Sequence, residues 1–568
     1  MGLASGWFEE TEKILPNLGQ KEWFAKHGSS PVLTPPRTRT KTGDGEGAQY
    51  KPVEVDIDAA GWLFKTYLVS NSRPCITIRD LAVAHIDKLK LHLGRPEVER
   101  VLFRYDLKTP PMKSVTRRPD SGTPETPYHL LSAGFIGSEQ QRAAAAWRVK
   151  LSRDQDTSDS DGLRTSSRTV NDAGNFKLPP NKTEVSRNGT EAEKRTNYTY
   201  EDCLKNSHFK RWIIKELARL ILDMIEIPAR KSLIIIGPEI CAEKTEAGIA
   251  EPSDAYLYQY MEMDNSVGYF AAAHAEQYDI DIDSEDGDTV ITALLGSHLR
   301  MRPGSDVKHC GEAFINGVRL LRNQWVGNRE TTIIDINNLY FTLQYAHAAL
   351  AKTHKVVIEN PIGNYALIAF LGGCDYVLPS MLQGVSKTVL LNTYFTYFPV
   401  FAQKLASDHI AKPSSVTVDP DSFARLICCC YRNVRGKTKL DLPVDDLVRT
   451  CQILHESDTR KADASPYPTV PSVRALLGNV AWTLTYFVSG SVRTALLPDG
   501  LTKLYHQPLY GYIRTANDAS THGFSLVEVA EDADAHTMHH KHWQRQQTDP
   551  EEWENNKLTE LQKDATAE

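Results

Sequence analysis

Apolar and polar positions along the chain follow two periods. In VEVDID, Val53, Val55 and Ile57 alternate with acids, which predicts a strand. The residues after it, to position 69, shift to helical spacing, and Asp58 stands at the join. Residues 78–93 (IRDLAVAHIDKLKLHL) fit an amphipathic helix, and VLFRY reads as a second strand with Asp106 at its end. Ile213, Leu217, Leu220 and Met224 recur at helical spacing ahead of the β-branched strand KSLIIIGPE. IDIDSEDGDTVITAL predicts a strand, a turn carrying Asp286 and Asp288, and a further apolar run. TTIIDINNLYFTL and HKVVIEN contain strand-like runs. In ALIAFLGGCDYVLPSMLQGVSKTVLLNTY a helix ends at Gly372-Gly373, Asp375 follows, and a Gly-containing turn at Gln383–Lys387 precedes another helix. Residues 395–510 read as mainly helical.

Between these elements lie stretches of another character. Residues 1–26 read as a short helix-forming segment and 28–52 as a Pro/Gly/Thr-rich loop. Residues 119–207 are polar, Ser/Thr/Asp-rich and poor in large apolar side chains, and read as a disordered insertion with a short helix near 138–151. From about residue 531 the chain is a polar, acidic tail. This divides the chain into 1–118, 119–207, 208–395, 396–530 and 531–568.

Composition narrows the class. A chain of 568 residues, 41% hydrophobic and 24% charged, is ordinary for a globular protein of more than one domain. A net charge of −7 gives no global basic signature, so nucleic-acid binding requires a local basic face. Nine cysteines with no Cys-x-x-Cys pair point to a reducing, intracellular setting, and Cys428, Cys429 and Cys430 read as core thiols. No apolar run approaches the roughly 20 residues of a membrane span. The start MGLASGWFEE has no signal-peptide pattern.

The candidate chemistry is acidic. Carboxylates at strand ends and on one turn repel one another, and burial raises that cost, unless a divalent cation lies among them. Asp58, Asp106, Asp286 and Asp288 share this placement, and Asp375 directly follows a helix end. Glu251 and Asp254 are expected at the N-terminus of a helix, with Glu262 and Asp264 further along. Lys108, Lys113, Arg117 and Arg118 follow Asp106, where basic groups could hold a phosphodiester beside a metal.

The order of these pieces resembles the flap-endonuclease/XPG, PIN-like 5′-nuclease superfamily over roughly residues 1–395. The carriers are the MGLASGW start, Asp58 in VDIDAAGWLFK, Asp106 and Lys113 in YDLKTPPMK, Asp254 in EPSDAYL, SEDGD with Asp286 and Asp288, and FLGGCDY with Asp375, followed by QGVSK. Where the family has paired Glu in its acidic helix, EPSDAYL has Tyr256; Glu251 could compensate, or Glu262 and Asp264 could be the pair. The hairpin has Gly-Val-Ser instead of Gly-Ile-Gly. The resemblance implies an α/β fold, a PIN-like core with a mostly parallel central sheet flanked by helices, plus a helical C-terminal region. It implies two Mg²⁺ ions (Mn²⁺ as a substitute) held by Asp58, Asp106, Glu251 or Asp254, Asp286, Asp288 and Asp375. Lys113 with Arg117 or Arg118 would stabilise the transition state, and Lys108, Gly384, Ser386 and Lys387 would grip nucleic acid. The implied activity is that of a structure-specific endonuclease or 5′-exonuclease on branched or flap DNA in replication or repair, with an intracellular location, nuclear or cytoplasmic. An RNA-cleaving enzyme of the host-shutoff type and a catalytically inactive scaffold in mRNA regulation are the alternatives.

Overall fold

The computed structural model describes residues 3, 6–15, 23–27, 41–42, 49–63, 75, 77–107, 178, 200, 204, 207–238, 240–252, 262–275, 277–300, 317–323, 331–358, 360–374, 376–377, 382, 384–401, 418–434, 441–457, 467–468, 470–489, 510–513 and 525–528. In chain order its elements are α1 (Trp7–Ile14), β1 (Phe24–His27), β2 (Lys41–Thr42), β3 (Gln49–Tyr50), β4 (Val53–Asp58), α2 (Ile78–Leu93), β5 (Val98–Arg104), α3 (Ser207–Met224), β6 (Ser232–Gly237), β7 (Ile240–Thr245) and β8 (Gly248–Ala250). There follow α4 (Met263–His274), β9 (Asp279–Asp283), α5 (Gly287–Arg300), β10 (Val318–Asn323), β11 (Thr331–Asp335), α6 (Ile336–His354), α7 (Pro361–Leu371), α8 (Lys387–Phe401), α9 (Pro420–Arg432), α10 (Leu447–Glu456), α11 (Val470–Ser489), β12 (Tyr510–Ile513) and β13 (Ser525–Glu528). They fall into two compact units, both discontinuous in sequence. One draws on Met1–Lys51 and Gln259–His540, the other on Pro52–Tyr258 and Lys541–Glu568.

In the 52–258 unit the strand order is β4–β5–β6–β7–β8. β4, β5 and β6 run parallel, with Asp58 opposite Arg104 and Arg104 opposite Ile236. β7 and β8 extend the sheet antiparallel. Val53, Val55, Ile57, Val101 and Phe103 are fully buried with Leu81, Leu89, Ile213 and Leu217 from α2 and α3. A capping box starts α2: Thr77 Oγ1 accepts from the Asp80 N–H, and Asp80 Oδ2 accepts from the Thr77 N–H. Leu178, Tyr200 and Leu204 are buried in the same core. Part of the stretch read from sequence as a disordered insertion is therefore packed, and large apolar side chains sparse along the chain suffice to anchor it.

In the other unit the order is β1–β11–β10–β9. β9 and β10 are parallel, with Asp283 opposite Leu321, and β11 and β1 add antiparallel. α4 and α5 cross backbone to backbone: a Cβ on Gly296 would lie 2.7 Å from the Cα of Gly268. The molecule is thus α/β, with helices flanking sheets in which the acid-bearing strands pair parallel. Cys428, Cys429 and Cys430 are buried on α9, and burial raises their thiols above the ordinary value.

The strand-like run in TTIIDINNLYFTL is β11, and one further sequence expectation is corrected. INNLYFTL continues as helix: the Asp335 side chain caps α6 by accepting from the Asn338 N–H, and Ile336, Leu339, Leu343 and Ala346 form its buried stripe. KVVIEN is no strand among its described residues; after Lys355 in the left-handed region the chain runs irregularly, and Val357 is exposed. No helix among the described residues is long and apolar enough to cross a membrane.

Candidate active site

Each acid-bearing strand alternates. On β4 the apolar residues face one way, and Glu54, Asp56 and Asp58 the other. Glu54 and Asp56 are nonetheless buried. Two arginines of β5 account for this. Arg104 forks onto Asp56, Nε to Oδ1 at 2.7 Å and Nη2 to Oδ2 at 2.5 Å, and Arg100 lies 3.2 Å from Glu54. On β9, Asp279, Asp281 and Asp283 likewise share a buried face. Arg319 of β10, directly opposite Asp281, forks onto it at 2.6 and 3.0 Å. Each unit thus has a buried carboxylate–guanidinium fork beneath the carboxyl end of its parallel strands. That end of an open α/β sheet is where sites are built.

Asp58 closes β4, and its Oδ1 accepts from the Ala60 N–H at 3.0 Å at the start of the helical turn 59–63. Asp106 lies two residues past β5, with Lys210 Nζ of α3 at 3.8 Å. Both are half-buried.

The SEDGD segment links β9 to α5, and a set of hydrogen bonds fixes it. The Asp286 N–H donates to Ser284 Oγ at 3.1 Å, and the Asp288 N–H to Asp286 Oδ1 at 3.2 Å. Thr289 Oγ1 lies 3.0 Å from Ser284 Oγ and donates to Asp264 Oδ1 at 3.1 Å. Asp264 stands in the first turn of α4. Asp288 is in the first turn of α5, where the helix dipole favours a carboxylate. The Arg322 guanidinium donates to the Glu285 carbonyl by Nη2 (3.0 Å) and Nε (3.3 Å). Burial pulls Arg322 below its ordinary value, and the carboxylates of Glu9, Asp286 and Asp288 oppose that pull; an arginine remains charged throughout.

The N-terminal segment packs against this turn and the Gly-Gly corner. A Cβ on Gly287 would come within 2.8 Å of Leu3, and one on Gly372 within 2.6 Å of the Trp7 ring. Trp7 Nε1 donates to the Tyr365 hydroxyl at 3.1 Å.

Two of the four candidate acids of this region stand at a helix start. Glu251 follows β8 and is exposed. α4 begins at Met263, with Glu262 as its N-cap and Asp264 inside it. Glu262 is buried and accepts from the hydroxyls of Tyr376 and Tyr486 on one oxygen. Gly384 adopts φ 81° and is exposed, Ser386 Oγ accepts from the Val389 N–H at the start of α8, and Lys387 Nζ leans over Gly6 of the α1 N-terminus. Lys108, Lys113, Arg117, Arg118, Asp254 and Asp375 lie outside the described residues, as does the tail beyond residue 528.

Sequence reasoning missed Arg104, Arg319 and Arg322. The signal for the first two was present: acids alternating on a buried strand require cations on the strand beside it. Oxygen-only donors such as Asp58, Asp106, Asp264, Asp286 and Asp288 fit Mg²⁺ chemically. Among the described residues, no three of His, Cys, Asp and Glu gather closely enough to enclose a metal ion. No protein-family model matches the chain, and no curated protein matches it.

Proposed function

We propose that the chain is a Mg²⁺-dependent phosphodiesterase, a structure-specific nuclease acting on branched or flap DNA in replication or repair. The observation that carries this reading is the placement of acids in both units: at the carboxyl ends of parallel strands, above a buried Asp–Arg fork. The resemblance of YDLKTPPMK, SEDGD and FLGGCDY to the 5′-nuclease pattern supports the same reading.

On this reading Asp58, Asp106, Asp286, Asp288 and Asp375 would hold the metal, with Glu262 and Asp264 supplying the acidic helix start in preference to Glu251 and Asp254. Mg²⁺, when bound, would lower the pKa of water and offset charge building on the phosphate. The protein's own share is preorganisation. The bonds within SEDGD fix Asp286 and Asp288 before substrate arrives, so little reorganisation is needed during reaction. Lys113, with Arg117 or Arg118, would bind the phosphate, and the helix–hairpin–helix-like turn at Gln383–Lys387 would contact the duplex through backbone N–H groups.

The test is cleavage of a 5′-labelled DNA flap and a matched single-stranded RNA, each with Mg²⁺ and with EDTA. The expected result is Mg²⁺-dependent incision at the flap junction, abolished by Asp286→Ala or Asp288→Ala with substrate binding retained. A double variant as active as wild type would refute the reading. Cutting of RNA alone would move the substrate to the ribonuclease alternative.

A further inference from the structure

The resemblance ends near residue 395, and α11 lies well beyond it. Yet α11 ends inside the candidate site. The Tyr486 hydroxyl donates to Glu262 Oε2 at 3.1 Å, and the Tyr376 hydroxyl donates to the same oxygen. All three side chains are at most 2% exposed. Glu262 occupies the N-cap position of α4, without a side-chain cap bond, two residues before Asp264, and Tyr376 directly follows Asp375 in sequence. The rings of Tyr376 and Tyr486 lie 5.5 Å apart, Phe487 meets Tyr376 edge-on at 5.5 Å, and Phe370 of α7 packs on Phe487 at 4.9 Å.

Packing alone does not call for this arrangement. A carboxylate buried among aromatic rings is costly unless hydrogen bonds compensate, and an apolar residue at 262 would fill the space without that cost. Two phenols converging on one oxygen instead fix the direction of the carboxylate, and low local polarity strengthens both bonds. One donor is the sequence neighbour of Asp375, and the other comes from the C-terminal helical region.

We propose that Tyr486 is a positioning residue for Glu262, holding its carboxylate at the N-terminus of α4 for a divalent cation, so that the C-terminal helical region is part of the catalytic unit. This rests on the metal-dependent reading above. Residues that orient metal ligands typically alter metal affinity when changed, although they touch no metal themselves.

The experiment is direct Mn²⁺ binding to the full chain, followed by electron paramagnetic resonance, for wild type, Tyr486→Phe, Tyr376→Phe and Glu262→Gln, with thermal midpoints alongside. Phe keeps the ring against Tyr376 and Phe487 and removes only the hydroxyl. The expected result is Mn²⁺ binding weakened on the order of tenfold in Tyr486→Phe, in the same direction in Tyr376→Phe, and at least as strongly in Glu262→Gln, with the Tyr486→Phe midpoint close to wild type. Unchanged affinity in Tyr486→Phe while Glu262→Gln is weakened would overturn the proposal and leave the metal-dependent reading standing. Unchanged affinity in Glu262→Gln would overturn it as well. No Mn²⁺ binding by wild type would overturn the reading and the proposal together.

Discussion

Asp56 and Arg104 are both essentially inaccessible to solvent. Such a pair gains little net stability over an apolar pair of the same size, because desolvation offsets attraction. Removing one partner is different, since it leaves a buried charge without its fork. Arg104→Met is expected to lower unfolding stability by about 3–5 kcal/mol, and Asp56→Leu with Arg104→Met to recover most of the loss. Urea unfolding of the two variants decides it; a double variant no more stable than the single would mean that the fork does not balance Asp56. The acid half of this arrangement was legible in VEVDID, where the spacing set the strand and its two faces. The burial of the polar face was not legible, because alternation ordinarily places one face in water. Only the neighbouring strand's Arg100 and Arg104, aligned by parallel register, reveal that both faces are covered. Glu262 was obscured for a related reason: the sequence offers four acids from Glu251 to Asp264, and its pattern does not mark where α4 starts.

Elements with strong period and strong caps were legible: β4, α2, β5, the first half of IDIDSEDGD, and α7 ending at its Gly-Gly corner. β7 and β8 were missed because ICAEKT and GIA are polar or small and lie half-buried to exposed, added antiparallel where no apolar pattern is needed. The α4–α5 crossing offers an element-scale prediction. In a helix Gly→Ala ordinarily stabilises by up to about 1 kcal/mol. At Gly296 the new methyl would meet Gly268 backbone at 2.7–2.9 Å, with no flexible side chain to give way. The two helices must then separate, and overpacking costs about 1–3 kcal/mol. Gly296→Ala is therefore expected to destabilise, against the helix propensity. Because Thr289 of α5 donates to Asp264 of α4, the proposed nuclease reading expects cleavage to fall with it. A rise in thermal midpoint would show that the crossing tolerates the methyl group.

At the scale of the whole molecule, both units are assembled from distant parts of the sequence. Local pattern along the sequence carries no information on which segments meet. Among the described residues, burial keeps His85 of one unit and His347 of the other neutral. Burial pushes His85 down to about 3 and His347 down to about 4. His85 Nδ1 donates to the Leu81 carbonyl among Trp62 and Phe103. His347 Nδ1 donates to the Leu343 carbonyl, which leaves Nε2 to accept from the Tyr394 hydroxyl at 2.6 Å. The folded values lie below the unfolded value of about 6.5, so the unfolded chain takes up protons first as pH falls. The stability these histidines contribute is complete above about pH 6.5 and is lost on acidification toward pH 4 for His347 and pH 3 for His85. At about 1.4 kcal/mol per pH unit, the His347 share amounts to about 3 kcal/mol. Urea midpoints measured from pH 7 to 4 should fall steadily below 6.5, and His347→Gln should flatten that slope. A His347→Gln protein with the wild-type slope would assign the acid sensitivity to His85 and the carboxylates instead.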